Sequence, residues 1–577
     1  MKGSDDYEEK QEGSIASGPA SGKLPLKEES TSRWARILQK GTGYGVLLES
    51  HGIVPITVEE RTETRFFQNF TLWPPPTTPK AARRDREAIA DFPASAQVDD
   101  EHNHQCFLSW NSWTTVLRPF TTSESGFILM CCGLQIDFQS PFQDSALIIV
   151  FSNIFSCAFP AYFGLWGPRL GLRMMTNARY SYGYYGAMLP TFFNLATFLG
   201  FCAINSIVGG QALSAVNPGH LSVSVGIVLI AVLSLVVSFC GYRVLHTLER
   251  WAWIPLVFSF VMLAGFGGRH LGSALAFEAS PATAGSVLTF ISIILGFTIS
   301  YCGMTADMNT YMRPDVASSK VFFLTFAGIY LPCMLIQVLG AAFGCAALSG
   351  QVTTWGDAFG EGAIGPLIAV ALEPLQGFGK VIVVILALGI ITNNAPTVYS
   401  YAFQTLTPVK CTTDERTHRS FSMSAQTFLP ILIRVPRYLL PVVATAIYLP
   451  IGLVGATHFF AALSSFLGLI GYWASIFTTI FILEHLVFRR ANFTNYDVSH
   501  WNEPGLLPVG IAAVFSSIVG AALAVLSMDQ VWFRGPIARA IAGSATSGGD
   551  VGIELGMAAS GVSYLITRTI EKRMFGR

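Results

Sequence analysis

From residue 144 onward the chain alternates between apolar runs of about twenty residues and short breaks rich in charge, Pro or Gly. Eleven runs stand out, near 144–166, 190–213, 221–241, 251–268, 286–306, 320–347, 379–405, 437–455, 458–486, 507–527 and 551–569. Some twenty residues at about 1.5 Å each cross the ~30 Å hydrocarbon core of a bilayer. The runs lack the alternate-residue polarity of barrel strands, and a lipid-facing backbone must satisfy its own N–H and C=O groups, so each is expected to be an α-helix. A twelfth candidate, Ser123 to Gln139, is short and interrupted by Asp137. The expected fold class is an all-α polytopic membrane protein with about 12 transmembrane helices, the first of them atypical or disrupted.

The breaks carry an orientation signal. Counting from the loop after 144–166, alternate loops hold Arg169, Arg173 and Arg179, then Arg243 and Arg250, then Arg313 and Lys320. They continue with Lys410, Arg416, Arg419, Arg434 and Arg437, then Arg489 and Arg490, and the tail adds Arg568, Lys572, Arg573 and Arg577. The other side holds Arg269, Lys380, Arg534 and Arg539, so the count is eighteen cations against four. This asymmetry predicts that the richer side, and the C-terminus with it, is cytoplasmic. The first 30 residues are polar and acidic with no apolar signal-peptide core, which favours a cytoplasmic N-terminus and hence the twelfth span.

Composition agrees. Of 577 residues 51% are hydrophobic and only 12% charged, about half the charged fraction of a soluble protein. The charge is uneven: residues 1–124 hold 32 of the 72 charged side chains. With Lys+Arg and Asp+Glu at 36 each, no basic surplus exists for a nucleic-acid partner. Most of the ten cysteines (Cys131, Cys157, Cys202, Cys240, Cys302, Cys333 and Cys345 among them) lie in apolar runs and read as small membrane-interior residues, not disulfides. The run His102-Asn103-His104-Gln105-Cys106 lacks a second ligand pair, so no metal is expected, and Asn492-Phe493-Thr494 fits a glycosylation pattern but falls on the cytoplasmic side.

Polar side chains inside a span cost about 1–3 kcal/mol unless paired, so they are the first candidates for a site. In 190–213, Phe201 and Asn205 are i and i+4 on one face, an aromatic plane beside a carboxamide. That pair suits a flat heterocycle; an interhelical Asn hydrogen bond beside a packing Phe fits equally. In 379–405, Asn393 and Asn394 precede Pro396 and Thr397. The proline frees a backbone carbonyl one turn earlier, so carboxamides and carbonyls can converge there, or the Asn pair can simply repair a kink. Gly296-Phe297-Thr298-Ile299-Ser300-Tyr301-Cys302-Gly303 interrupts its run with glycines and hydroxyls, which predicts a discontinuous helix. Asp307 just beyond it reads either as a proton-linked carboxylate or as a helix-end charge. No Walker loop, hydrolase elbow or ATP-binding domain is present, so the expectation is a carrier driven by an ion gradient, with no enzyme activity and no cofactor.

A set of longer motifs goes further. These are Arg61-Thr62-Glu63-Thr64-Arg65-Phe66-Phe67-Gln68-Asn69-Phe70-Thr71-Leu72-Trp73, Asp144-Ser145-Ala146-Leu147-Ile148-Ile149, Gly167-Pro168-Arg169-Leu170-Gly171-Leu172-Arg173 and Arg179-Tyr180-Ser181-Tyr182-Gly183. Asn205-Ser206-Ile207-Val208-Gly209-Gly210-Gln211, Gly241-Tyr242-Arg243-Val244-Leu245-His246, Glu249-Arg250-Trp251-Ala252-Trp253 and Gly549-Asp550-Val551-Gly552-Ile553-Glu554-Leu555-Gly556 continue them. With these, the chain resembles the nucleobase-cation-symport family of fungal purine-cytosine permeases over 50–73 and about 140–577. The resemblance implies two inverted five-helix repeats followed by two peripheral helices. It also implies a heterocycle held between aromatics at Phe201 and Tyr301 and read by Asn205 and Asn394, with Asn393, Pro396 and Thr397 beside them. Three positions depart from the family: Phe201 where Trp is usual, Thr397 where Asn is usual, and Tyr301 where Trp is also found. A smaller ring and a lost donor/acceptor pair each shift affinity by about 1–3 kcal/mol, enough to change which heterocycle is preferred.

In the family a spanning helix follows the position of Trp73 at once. Here Pro74-Pro75-Pro76-Thr77-Thr78-Pro79-Lys80 and the charges Arg83, Arg84, Asp85 and Arg86 follow, which no lipid-embedded helix accommodates. The chain therefore divides into a cytoplasmic N-terminal region (1–73), a polar, disordered insertion of the kind retained intron sequence would encode (74–120), a transmembrane domain (121–570) and a tail (571–577). The resemblance implies a proton symporter that imports purine bases, cytosine or a related small heterocycle across the plasma membrane. A same-fold carrier for vitamin B6, allantoin or another metabolite, and a transport-inactive paralogue, are the alternatives.

Overall fold

The computed structural model describes Pro55, Arg61 and residues 141–577 apart from 240–241, 276–282, 311, 361–362, 405–439 and 543–548. Among the described residues there are eleven long helices: α1 (Phe142–Phe163), α2 (Met188–Val216), α3 (Val223–Phe239), α4 (Tyr242–Gly268), α5 (Ala284–Ile299), α6 (Ser318–Leu348), α7 (Gly377–Gln404), α8 (Leu440–Gly455), α9 (Phe459–Leu483), α10 (Ile511–Ser527) and α11 (Gly552–Phe575). Each apolar run marked from 144 onward thus coincides with a helix. Seven are long and apolar enough to cross a membrane unaided, and Val223–Phe239, Ile254–Gly268 and Ile511–Ser527 are apolar but shorter. The chain is a polytopic helical membrane protein. The twelfth candidate at 123–139, the 74–120 segment and the 102–106 run lie outside the described residues.

Some details depart from the sequence pattern. The last helix continues to Phe575, past the expected tail boundary, and a short antiparallel pair, β1 (Asp529–Gln530) with β2 (Phe533–Arg534), joins α10 to α11. Pro396 leaves α7 helical from Gly377 to Gln404. The glycine- and hydroxyl-rich break does interrupt its helix: α5 ends at Ile299, a 3₁₀ turn covers Ser300–Gly303, and a four-residue helix, Thr305–Met308, follows. Thr283 caps the start of α5, its Oγ1 accepting from Ser286 N at 3.1 Å.

Close packing, not helix propensity, arranges these elements, because lipid is as apolar as the side chains it would replace. The bundle packs α2 against α3, α7 and α8, α1 against α5 and α6, and α9 against α5, α10 and α11. Where α5 crosses α9 two glycines meet: a Cβ on Gly296 would lie 2.4 Å from Leu467 O, and one on Gly471 2.7 Å from Gly296 Cα. Phe151, Phe192, Ile518 and Val562 point outward, as lipid-facing positions should. The described Cys157, Cys202, Cys302, Cys333 and Cys345 are buried free thiols.

Candidate functional site

Among the described residues, the cation-bearing loops after α1, after α5 and after α9 are tied together by hydrogen bonds, and this region is here called the basic end. Arg169 donates to Pro314 O (2.7 Å), Val316 O (3.0 Å) and Ser318 Oγ (2.7 Å), joining the α1–α2 loop to the α5–α6 loop. Asn309 Nδ2 donates to Gly164 O at 3.0 Å, and Asn194 Nδ2 on α2 to Gly303 O at 3.2 Å. Arg61 brings two of the sequence motifs together by donating to Pro168 O (3.2 Å) and Leu170 O (3.0 Å). Burial lowers its pKa, yet a guanidinium stays charged in proteins and here neutralises the C-terminal carbonyls of the short helix Trp166–Leu170. Tyr180 OH donates to Asp497 O at 2.8 Å, and burial holds the phenol above its ordinary pKa, so it acts only as a neutral donor.

Asp307 also lies at the basic end. Its Oδ1 accepts from Met174 N at 2.5 Å, at the start of the short helix Met174–Asn177. This contact fits the helix-end reading of Asp307, and the short helix that carries it follows directly on the Ser300–Gly303 turn.

Phe201 is buried on α2, with its ring edge-to-face against Phe297 on α5 (centroids 6.1 Å) and Phe466 on α9 (5.2 Å). Tyr301, buried in the 3₁₀ turn, meets Phe297 at 5.8 Å. The two aromatics expected to flank a heterocycle are therefore linked through Phe297, and Phe466 covers another side of Phe201. Phe466 sits where Gly200 leaves room; a Cβ there would fall 2.0 Å from the ring. One turn before Phe201, Thr197 Oγ1 accepts from Trp473 Nε1 at 2.9 Å, and Trp473 stacks on Phe193. Sequence reasoning missed Phe466 and Trp473, and the glycine opposite Phe466 is the one signal for it.

The carboxamides divide between two faces. Asn205 is buried on the Phe201 face of α2. Asn394, fully buried on α7, donates to Cys202 O (3.4 Å) and Ser206 Oγ (3.3 Å), the adjoining stripe of α2. Its Oδ1 has no hydrogen-bond partner among the described residues. Leaving a buried carbonyl oxygen unmet costs about 1–3 kcal/mol, so this atom is a ready acceptor for an N–H. Asn393 is buried, and its main-chain carbonyl accepts from Thr397 Oγ1 at 2.8 Å, so that hydroxyl is turned to its own helix; Pro396 lies within α7 between them.

At the end opposite the basic loops a cavity of about 1050 Å³ opens between the ends of α2, α3, α7, α8 and α9. Gln211, Glu373, Lys380 and His458 are among its lining residues. Gln211 lies six residues beyond Asn205 on α2, about 9 Å along the helix, and its Oε1 accepts from Ile364 N at 3.3 Å. Among the described residues, hydrogen bonds cross the basic end and a cavity opens at the other, with aromatic rings and amides between them.

Residues 127–540 match the family described as permease for cytosine/purines, uracil, thiamine, allantoin. The chain is 35% identical over 498 residues to purine-cytosine permease fcyB of Emericella nidulans, covering 85% of this chain and 90% of that one. It is 28% identical to vitamin B6 transporter TPN1 of Saccharomyces cerevisiae, covering 76% and 80%. Among solved structures it is similar in fold to Mhp1, a nucleobase-cation-symport-1 family transporter in a closed conformation with bromovinylhydantoin bound. The TM-score is 0.55 at 13% identity, with coverage of 80% and 92%.

Proposed function

The chain belongs to the family of permeases for cytosine/purines, uracil, thiamine and allantoin, and from that premise we propose that it is a proton symporter importing a purine base, cytosine or a related small heterocycle across the plasma membrane. The heterocycle lies against the Phe201 and Tyr301 rings, and Asn205 and Asn394 read its polar edge. The observation that carries this reading is the Asn394 Oδ1 atom, buried without a donor at the joint of α2 and α7. A nucleobase brings an N–H to such an acceptor and a π-face to such rings.

The basic end faces the cytoplasm in this reading, supported by the cation asymmetry, and the cavity lined by Gln211 faces outside. Transport then proceeds by alternating access: the outer cavity closes, and the contacts of Arg169, Asn309 and Asn194 at the basic end part.

The test is uptake of radiolabelled cytosine, adenine, hypoxanthine and pyridoxine in a transporter-deficient yeast, with Asn205→Ala and Asn394→Ala beside the parent chain. Each substitution is expected to reduce uptake at least tenfold, about 1.4 kcal/mol or more. Uptake that ignored both would remove these residues from the site. The likeness to TPN1 supports a second reading, a vitamin B6 carrier, and pyridoxine uptake unaffected by excess cytosine would select it. Correct surface delivery with no uptake of any probe would favour a transport-inactive paralogue.

A further inference from the structure

A second polar centre lies where α5, α9 and α11 meet. Asp550, 1% exposed, precedes α11. Its Oδ2 accepts from Tyr472 OH on α9, from Asp529 N at 3.2 Å and from Gln530 Nε2 at 3.3 Å; its Oδ1 accepts from Gly552 N at 2.9 Å. Its own main chain is tied to α5, with Asp550 N donating to Thr289 Oγ1 (3.1 Å) and Ser292 Oγ donating to Asp550 O (3.0 Å). Among the described residues, the groups that can bear charge around it are Tyr472 on α9, Asp529 on β1 and Glu554 on α11, and none of these is a cation. Arg534 is bound to Asp529 at 2.7 Å.

Among the described residues the other fully buried carboxylates, Glu484 and Glu571, are paired with Arg568. Asp550 has no such partner, and a buried carboxylate without a cation favours its neutral form. Burial raises the Asp550 pKa and the Asp529 carboxylate pushes it the same way, against the donors Tyr472, Gly552 and Asp529 N–H. One neighbour already has room for the extra proton. Gln530 Oε1 is buried with no partner among the described residues, while its Nε2 faces Tyr472 OH (2.7 Å) and Asp550. A turn of that amide places the oxygen where Nε2 now stands, able to accept an O–H from Asp550.

The centre is mechanically joined to the aromatic cluster. Gly468 lies against the Gln530 amide and Gly471 against Gly296, while Tyr472 holds Asp550. The same segment of α9 carries Phe466 onto Phe201 and Trp473 onto Thr197.

We propose that Asp550 is a proton-carrying carboxyl of the transport cycle, and that its protonation loosens the 466–473 segment of α9 that covers Phe201. The proton comes from a hydronium ion on the side of the cavity: one O–H bond breaks there, leaving water, as one O–H bond forms at Asp550, and the Gln530 amide turns so that its oxygen accepts a hydrogen bond from the new O–H. This deepens the proton-symport reading and rests on it for the coupling to transport.

Two readouts on the purified full-length chain separate the failure of this proposal from failure of the substrate reading. The first is pH-difference infrared spectroscopy, which needs no substrate. The parent chain is expected to show a titrating carboxylic C=O band that Asp550→Asn removes and Tyr472→Phe moves to higher pH, since it deletes a donor to the charged form. The second is proteoliposome transport of cytosine, adenine, hypoxanthine and pyridoxine. A gradient of one pH unit should drive about tenfold accumulation by the parent chain, and Asp550→Asn should reduce the ratio to one while the probe still equilibrates downhill.

Accumulation that survives Asp550→Asn, or absence of an Asp550-dependent band in a parent chain that exchanges a probe, overturns the proposal. An Asp550-dependent band in a chain that exchanges none of the probes upholds the proton site and refutes the substrate reading. Should Asp550→Asn fail to fold, Tyr472→Phe decides, and an unmoved midpoint overturns the proposal.

Discussion

Removing the charge of Glu484 should destabilise the joint between α9 and α11. Glu484 is the first residue of a π-helical turn, Glu484–Phe488, that ends the α9 segment. It accepts from Arg568 Nε (3.1 Å) and Nη2 (3.2 Å), from Arg489 Nε (3.3 Å) and from Tyr564 OH (2.9 Å), and the Arg568 and Glu484 side chains are 2% and 3% exposed. In Glu484→Gln the shape survives and the charge does not. Losing one partner of a buried pair costs about 3–5 kcal/mol, because the other is left uncompensated in a low dielectric. Glu571 still holds Arg568 Nη1 at 2.7 Å, which places the expectation at the lower end, about 3 kcal/mol. For a chain of 577 residues that corresponds to a fall of about 2–3 °C in the thermal midpoint. The assay is size-exclusion chromatography of a fluorescently tagged chain after heating. The double substitution Glu484→Gln with Arg568→Gln should recover at least about 1 kcal/mol relative to the sum of the singles, since removing both charges leaves less to compensate. A single Glu484→Gln chain with the parent midpoint would refute the assignment of this pair as the tie between α9 and α11.

Three further outcomes follow from the geometry. Gly296→Ala places a Cβ 2.4 Å from Leu467 O, a main-chain atom that cannot rotate away; α5 and α9 must separate, and a loss of about 1–3 kcal/mol should lower the same thermal midpoint. Phe466→Ala removes a ring contact with Phe201 worth about 0.5–1.5 kcal/mol, and is expected to change the KM of the transported heterocycle by about two- to tenfold with surface delivery intact. Asp307→Asn keeps an oxygen for Met174 N and should keep both uptake and its pH dependence. Asp307→Ala orphans that N–H and should lower the midpoint by about 1–3 kcal/mol, whereas loss of pH dependence in Asp307→Asn would return the proton to that carboxylate.

The spans were readable from residue order because the signal is local: some twenty apolar residues between charged breaks need no knowledge of partners. The break at Gly296–Gly303 was readable for the same reason, and it is a 3₁₀ turn. Asn394 could be singled out because a carboxamide in an apolar run is costly wherever it faces, although which stripe of α2 it meets depends on packing. Phe466 is one of 43 phenylalanines, and nothing in its neighbours distinguishes a ring that caps a site from one that faces lipid. Asp550 lies in the Gly549–Gly556 motif, but the role proposed for it depends on Tyr472 and Gln530, 78 and 20 residues away. What the sequence does hold is the complementary space. Gly200 admits Phe466, Gly468 admits the Gln530 amide and Gly471 admits Gly296. Three glycines thus mark one stretch of α9 and the facing turn of α2 as surfaces where something large must approach. In a membrane helix such glycines are a geometric statement about neighbours, and here those neighbours are an aromatic beside the substrate candidates and a buried amide beside an uncompensated carboxylate. A proton bound on one side of this helix can reach a heterocycle on the other through a displacement of the single segment 466–473, with no relay of side chains between them.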